Sequence, residues 1–217
     1  MKEQSIGQQD PVAGLTVFLV DDDEAIRNSL ARALQKRDYR VETFASAADF
    51  LLRYDGEAPG CLILDYGMPG MNGLELQAWL ARAGHDLPII FITGHGGVPE
   101  SVQAIKAGAL DFLEKPFRQS VLIERIETAF AMVAEHHAAR AGTERLRAKF
   151  DRLTSREMEI VSHMVSNPSE TSSKEVGARL GISPRTVDHH RARILEKLQI
   201  RSVAELISMA QHFLAKG

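Results

Sequence analysis

Six side chains in the first part of the chain have types and positions that invite chemistry. Asp21, Asp22 and Asp23 follow the apolar run TVFLV, Asp65 follows CLIL, Thr93 follows PIIFI, and Lys115 comes just after ALDFL and before Pro116. Two or three carboxylates gathered at one spot repel one another and are driven toward protonation. A hard divalent cation relieves that: Mg²⁺ takes oxygen ligands, accepts one or two carboxylates, keeps waters and is commonly shared with a phosphate. A lysine and a hydroxyl on the far side would hold phosphate oxygens. Together the set describes a site for placing a phosphoryl group on a carboxylate, with Asp65 as the expected nucleophile. Each member alone has a plainer reading. The run Asp21 to Glu24 suits a helix N-terminus, Thr93 opens a Gly-rich turn, and a Lys-Pro step is an ordinary loop. Their coincidence at successive run ends is what sets them apart.

For these residues to meet, the apolar runs before them must be neighbouring strands. Between the runs, Ala25, Ile26, Leu30, Ala33 and Leu34 fall at helical spacing, ASAADFLLRY reads as a helix capped by Ser46, and GLELQAWLARAG as one stopped by Gly84. PESVQAIKAG adds a helix with Pro99 early and Gly108 at its end. With VETF as a further strand, five strand-helix repeats fill about 130 residues. Short, unalternating apolar strands of this kind belong to a parallel sheet covered by helices on both faces. In that architecture ligands bind outside the carboxyl ends of the strands.

V-D-D-D-E, L-D-Y-G-M-P-G-M-N-G, F-I-T-G-H-G and L-E-K-P-F, at these spacings, resemble a bacterial response-regulator receiver domain over residues 15 to about 133. The resemblance implies a flavodoxin-like fold in which Asp65 takes phosphate from a sensor histidine kinase. It implies Mg²⁺ held by Asp21, Asp22, Asp65 and the backbone carbonyl of Gly67, with Thr93 and Lys115 on the phosphoryl oxygens. Thr93 and Phe112 would couple phosphorylation to the surface of helix 4, strand 5 and helix 5, and the Lys115–Pro116 bond would be cis. Gly67 departs from the larger polar residue frequent at its position, which bears, with His95, on hydrolysis of the acyl phosphate.

Composition supports an ordinary soluble protein: of 217 residues, 44% are hydrophobic and 25% charged. No run reaches the ~18 apolar residues of a membrane helix. The polar start MKEQSIGQQDP is not expected to be a secretory signal. The single cysteine, Cys61, fits a strand interior and a reducing cytoplasm. The net charge of −3 divides unevenly: residues 131–217 carry 14 Lys+Arg against 10 Asp+Glu (+4), and residues 1–130 the remaining 12 and 19 (−7).

The later part is helical throughout. From Val121 to about Phe150 the pattern turns polar and Ala-rich, with Gly142 as a weak point in an extended helix or helical linker. His136 and His137 are adjacent, face different directions and read as solvated. Thr154 with Glu157 makes a capping box ahead of Ile160, Val161, Met164 and Val165. After the polar break SNPSETS come SKEVGARLG and then PRTVDHHRARILEKLQI, capped by Ser183 with Pro184 at its first position: two helices joined by a tight turn. A small bundle with solvated arginines would show the same pattern.

L-T-S-R-E, the S-K-E-V-G-A-R-L-G-I-S-P-R-T-V-D-H-H-R-A-R-I-L-E-K-L run and S-V-A-E-L-I are similar to the DNA-binding domain shared by LuxR, NarL and FixJ regulators, over about 151–217. That resemblance implies four helices, the third in the major groove and the fourth supplying a dimer interface through Val203, Leu206, Ile207 and Ala210. Asp188, His189 and Ala192 are the groove-facing candidates, and Asp188 could accept from a cytosine amine. Arg185, Arg191 and Arg193 are expected on phosphates, with Thr186 and Lys197 on the same helix. The connection SNPSETSS is two or three residues longer than is usual in the family.

The expected organisation is therefore an extension (1–14), a receiver domain (15–133), a helical linker (134–150) and a helix-turn-helix domain (151–217). The two-domain order most resembles the FixJ branch of response regulators. It implies a cytoplasmic, non-enzymatic transcription factor whose partners are a sensor kinase, double-stranded promoter DNA, a second copy of itself on phosphorylation, and RNA polymerase, with no membrane. Release of the DNA-binding domain from inhibition by the receiver is an alternative coupling to dimerisation. Two rival classes are an aspartyl-nucleophile phosphatase, whose usual second aspartate is Gly67 here, and a constitutive DNA binder with an inert receiver.

Overall fold

The computed structural model describes residues 14–94 and 98–214, so His95 lies outside the described residues. The chain divides into two compact units, Met1–His137 and Ala138–Gly217.

In the first unit the elements alternate: β1 (Thr16–Val20), α1 (Glu24–Gln35), β2 (Arg40–Phe44), α2 (Ala47–Arg53), β3 (Gly60–Asp65), α3 (Gly73–Ala83), β4 (Ile89–Thr93), α4 (Val98–Lys106), β5 (Asp111–Glu114) and α5 (Gln119–Phe150). All strand pairs are parallel, in the order β2-β1-β3-β4-β5. This is the flavodoxin-like arrangement expected from the sequence. Alternate strand residues supply two cores, one on each face. Val17, Leu19, Ile63 and Ile90 pack with Leu34 of α1 and Leu122, Ile126 and Phe130 of α5. Phe18, Val20, Leu62, Leu64 and Phe91 pack with Phe50, Leu76, Leu80 and Ala104 of α2 to α4. Both faces being covered explains why β1, β3 and β4 read as unbroken apolar runs. The last strand begins at Asp111, two residues later than the ALDFL run, and Ala109 joins the core from the preceding turn.

Local chemistry fixes the ends that carry the site. Asp23 caps α1, its side chain accepting from the Ala25 and Ile26 amides, which leaves Asp21 free of that role. Asn72 and Glu75 form a capping box at α3. The chain passes so tightly there that a Cβ on Gly73 would lie 2.7 Å from the Asp65 carbonyl and from the Phe91 ring. Helix α5 runs through Gly142 without a break and ends in Phe150, a residue buried in the second unit.

The second unit contains α6 (Ser155–Ser166), α7 (Ser173–Leu180), α8 (Pro184–Leu198) and α9 (Val203–Leu214). Its core joins Phe150 to Ile160, Met164, Val176, Val187, Ile194, Leu198, Leu206 and Ala210. The turn from α7 to α8 is set by Gly181 in the left-handed region (φ 67°), then Ser183 as cap and Pro184 at the first helical position. Glu157 does double duty: its carboxylate closes the capping box on Thr154 and, 1% exposed, takes the Lys197 ammonium at 2.6 Å. Burial works against that charge, but the Lys197 and Thr154 hydrogen bonds outweigh it and hold the carboxyl below its ordinary 4.5. The stabilisation is thus present above the unfolded value and lost as pH falls through the lower folded one. Glu157→Gln is expected to destabilise the second unit by about 2 kcal/mol at neutral pH, the difference from wild type narrowing as the pH falls below the ordinary carboxyl value, as read by urea unfolding at several pH values.

Candidate functional site

The carboxyl ends of β1 and β3 and the start of the loop after β5 meet at one ammonium group. Lys115 Nζ donates to Asp21 Oδ2 at 2.8 Å and to Asp65 Oδ1 at 2.7 Å. Asp21 is 1% exposed and Asp65 7%, and Thr93 beside them is 2% exposed. The second oxygen of each carboxylate is held by its own loop: the Asp23 amide donates to Asp21 Oδ1 at 2.9 Å, and the Gly67 amide to Asp65 Oδ2 at 2.8 Å. Arg27 of α1 donates to the Asp21 carbonyl at 2.6 Å, a contact the sequence pattern did not single out. Lys115 is positioned by its amide, which donates to the Thr93 carbonyl at 2.6 Å, and by a cis bond to Pro116. Asp22 is exposed and stands outside the ion cluster.

One cation between two buried anions leaves the electrostatics unbalanced. Burial opposes the Lys115 charge, yet two carboxylate hydrogen bonds overcome it and raise the ammonium above its ordinary 10.5. Asp21 shows the other side of the same imbalance. Burial raises its carboxyl above the ordinary 3.8, and its share of Lys115 does not cancel that.

The donor set is all oxygen. Among the described residues no group of three or more His, Cys, Asp or Glu is arranged to hold a metal by itself. Mg²⁺ asks for less, one or two carboxylates with waters and phosphate oxygens. The two buried carboxylates with their unbalanced charge fit that ion.

Tyr66, the residue after Asp65, was also missed by the sequence reading. Its ring lies 6.3 Å from Phe91 and 6.0 Å from Phe112, and those two rings lie 6.1 Å apart. Phe112 is thereby half-buried in a three-ring cluster packed against the core on the α2 to α4 face of the sheet.

On α8, Arg185, Asp188, His189, Ala192 and Arg193 are all exposed and recur at helical spacing, forming one outward stripe. Thr186 is half-buried, its hydroxyl 2.7 Å from Ser183 Oγ at the cap. Two of the cations expected on the DNA-binding helix are otherwise engaged. Arg191 donates to Ser173 Oγ at 2.8 Å and to the Thr171 carbonyl, and its Nε is buried. Lys197 is spent on Glu157. Both point toward α8's own neighbours, because the helix must anchor one face in the domain before it can present the other. The residues expected to form a dimer face on α9 are likewise engaged within the domain. Leu206 and Ala210 are buried in the domain core, and Val203 and Ile207 pack against it. The exposed side of α9 is instead Ala204, Glu205, Ser208, Gln211 and His212.

Comparison with known proteins agrees with both halves of this description. The family model described as the response regulator receiver domain matches residues 17–127, and that of the bacterial regulatory proteins of the luxR family matches residues 151–210. The chain belongs to the two-component response regulators that join a receiver domain to a LuxR-type DNA-binding domain. The transcriptional regulatory protein FixJ of Rhizobium meliloti is 40% identical over 195 residues, 90% of this chain and 94% of that protein. The transcriptional regulatory protein TdiR of Thauera aromatica is 39% identical over 202 residues, 93% of this chain and 86% of that protein. The solved structure of the response regulator StyR superposes with a TM-score of 0.84 at 40% identity, covering 92% of this chain and 100% of that one.

Removal of Lys115 tests the charge imbalance. Lys115→Met is expected to destabilise the first unit by about 3 kcal/mol at pH 7, the order found for breaking a buried ion pair. Because folding already raises the Asp21 carboxyl, lowering the pH lets the folded state take up a proton and the deficit shrinks. Thermal unfolding of both proteins between pH 4.5 and 8 checks this.

Proposed function

We propose that the chain is a phosphorylation-switched transcription factor, with Asp65 as the phospho-acceptor. The observation that carries this reading is the Lys115 ammonium shared at 2.7 and 2.8 Å by two buried carboxylates. A purely structural ion pair needs one partner for each charge. Here a second buried anion stands under-neutralised at strand ends, where this fold binds ligands.

In this reading a carboxylate oxygen of Asp65 attacks the phosphorus of a phosphohistidine on a sensor histidine kinase. The P–N bond breaks, the histidine leaves, and an acyl phosphate remains on Asp65. Asp21, Asp22, Asp65 and the Gly67 carbonyl would hold Mg²⁺, which when bound would neutralise charge on the carboxylates and the transferring group. Lys115 exchanges one carboxylate partner for a phosphoryl oxygen, and the Thr93 hydroxyl takes another. Movement of Thr93 at the end of β4, where it pairs with Glu114, then bears on Phe112 further along the adjacent strand β5, and alters the surface near β5. Two receivers pair through that surface, and two α8 helices are set on paired half-sites of promoter DNA. Arg185 and Arg193 position the helix on phosphates, and Asp188, His189 and Ala192 face the bases. The receiver is assigned to residues 15–133, the helical linker to 134–150 and the DNA-binding domain to 151–217. Action in the cytoplasm with RNA polymerase completes the proposal. Among the described residues no helix is long and apolar enough to cross a membrane. The reading is of a switch and not of a turnover enzyme, since Gly67 offers no second carboxylate after Asp65.

Sedimentation and promoter-DNA affinity, with and without beryllofluoride and Mg²⁺, test the proposal on wild type and Asp65→Asn. Wild type is expected to dimerise and bind DNA at least tenfold more tightly on addition, and the variant to be indifferent. An equal response in both removes Asp65 from the mechanism.

A further inference from the structure

The outward stripe of α8 contains one carboxylate among cations, and that carboxylate is restrained. Ser173 Oγ donates a hydrogen bond to Asp188 Oδ1. The same hydroxyl accepts from Arg191 Nη1 at 2.8 Å, while Arg191 Nη2 holds the Thr171 carbonyl. Ser173 is the first residue of α7, but it does not cap that helix. Ser172 does, with a complete capping box to Glu175. Both hydrogen bonds of the Ser173 hydroxyl therefore go across to α8.

A serine hydroxyl has one proton to give. With Arg191 donating to one of its lone pairs, that proton is directed to Asp188. The guanidinium orients the hydroxyl, and the hydroxyl orients the carboxylate. The other oxygen of Asp188 accepts no hydrogen bond among the described residues, and the residue is exposed on the same stripe as Arg185, His189 and Ala192. A carboxylate oxygen held in a groove-facing stripe is complementary to the cytosine N4 amine. Left unrestrained near phosphates, the same carboxylate would be repelled into other rotamers, and selection by a base contact needs its geometry held to about 0.5 Å.

We propose that Ser173 is a positioning residue for DNA sequence selectivity: it holds Asp188 so that one carboxylate oxygen is offered to a cytosine amine, and Arg191 locks the hydroxyl from behind. This rests on the reading of α8 as the helix that meets DNA. It also gives a role to the extended connection before α7, whose Thr171 carbonyl is the far anchor of Arg191.

The test sorts the full-length chain, with beryllofluoride and Mg²⁺, on a pool of randomised duplexes. Affinity is then measured for every single-base change of the enriched sequence with wild type, Ser173→Ala, Ser173→Thr and Asp188→Ala. Wild type is expected to lose roughly tenfold in affinity when one cytosine per half-site is replaced. Ser173→Ala and Asp188→Ala are expected to flatten that position alone to within about twofold, their double variant to add nothing there, and Ser173→Thr to restore it. The proposal is overturned if Ser173→Ala keeps the cytosine preference. It is equally overturned if that variant weakens every sequence alike with a parallel fall in unfolding midpoint, or if no position responds to Asp188→Ala. Failure of wild type to enrich any sequence would instead defeat the DNA-facing reading of α8, and the proposal with it.

Discussion

Two carboxylates at the ends of β1 and β3 share the single ammonium of Lys115. Three separate strand ends are tied at that point, and the tie is electrostatically incomplete. Desolvating a charge is expensive unless its partners fully compensate it, and here a net negative charge is buried at the edge of the sheet. Burial of that charge keeps the Asp21 carboxyl above its ordinary value, and the surrounding structure holds the cluster together. Core packing on both sheet faces fixes the strands, Asp23 relieves Asp21 of helix capping, and the Lys115 amide is held on the Thr93 carbonyl.

The second unit divides the labour of its charges differently. On α8 one face is committed inward by Val187, Ile194 and Leu198, and its flanks by Arg191 and Lys197. That anchoring leaves Arg185, Asp188, His189, Ala192 and Arg193 to solvent. A charged residue on a recognition helix is therefore not by default a DNA contact. Half-buried cations here hold the helix in place, and a smaller exposed set is left facing solvent.

Much of this was legible in the sequence. Apolar runs closed by Asp, Thr and Lys gave the sheet, its parallel sense and the convergence of Asp21, Asp65, Thr93 and Lys115, because strand period and strand-end position are local properties. The caps at Ser46, Thr154 and Ser183 were legible for the same reason. What escaped depends on distant partners. Nothing local says that Lys197 finds Glu157 forty residues earlier, or that Arg191 turns back to Thr171. The apolar stripe of α9 was visible as a stripe. Its packing partners lie in distant helices: Leu206 and Ala210 join Phe150 and Ile160 in the domain core. The ring cluster of Tyr66, Phe91 and Phe112 likewise joins residues of β4, β5 and the turn after β3 and has no signature within any one segment.

The account's centre is the unneutralised charge around Lys115, and a titration of Mg²⁺ against the thermal unfolding of the full-length chain addresses it most directly. A ligand that binds only the folded state raises its stability as it saturates. The midpoint of wild type is expected to rise saturably with Mg²⁺, and that of Asp21→Asn, which lacks one of the two buried charges, to stay almost level. A wild-type midpoint that ignores Mg²⁺, or an equal rise in Asp21→Asn, would contradict the account.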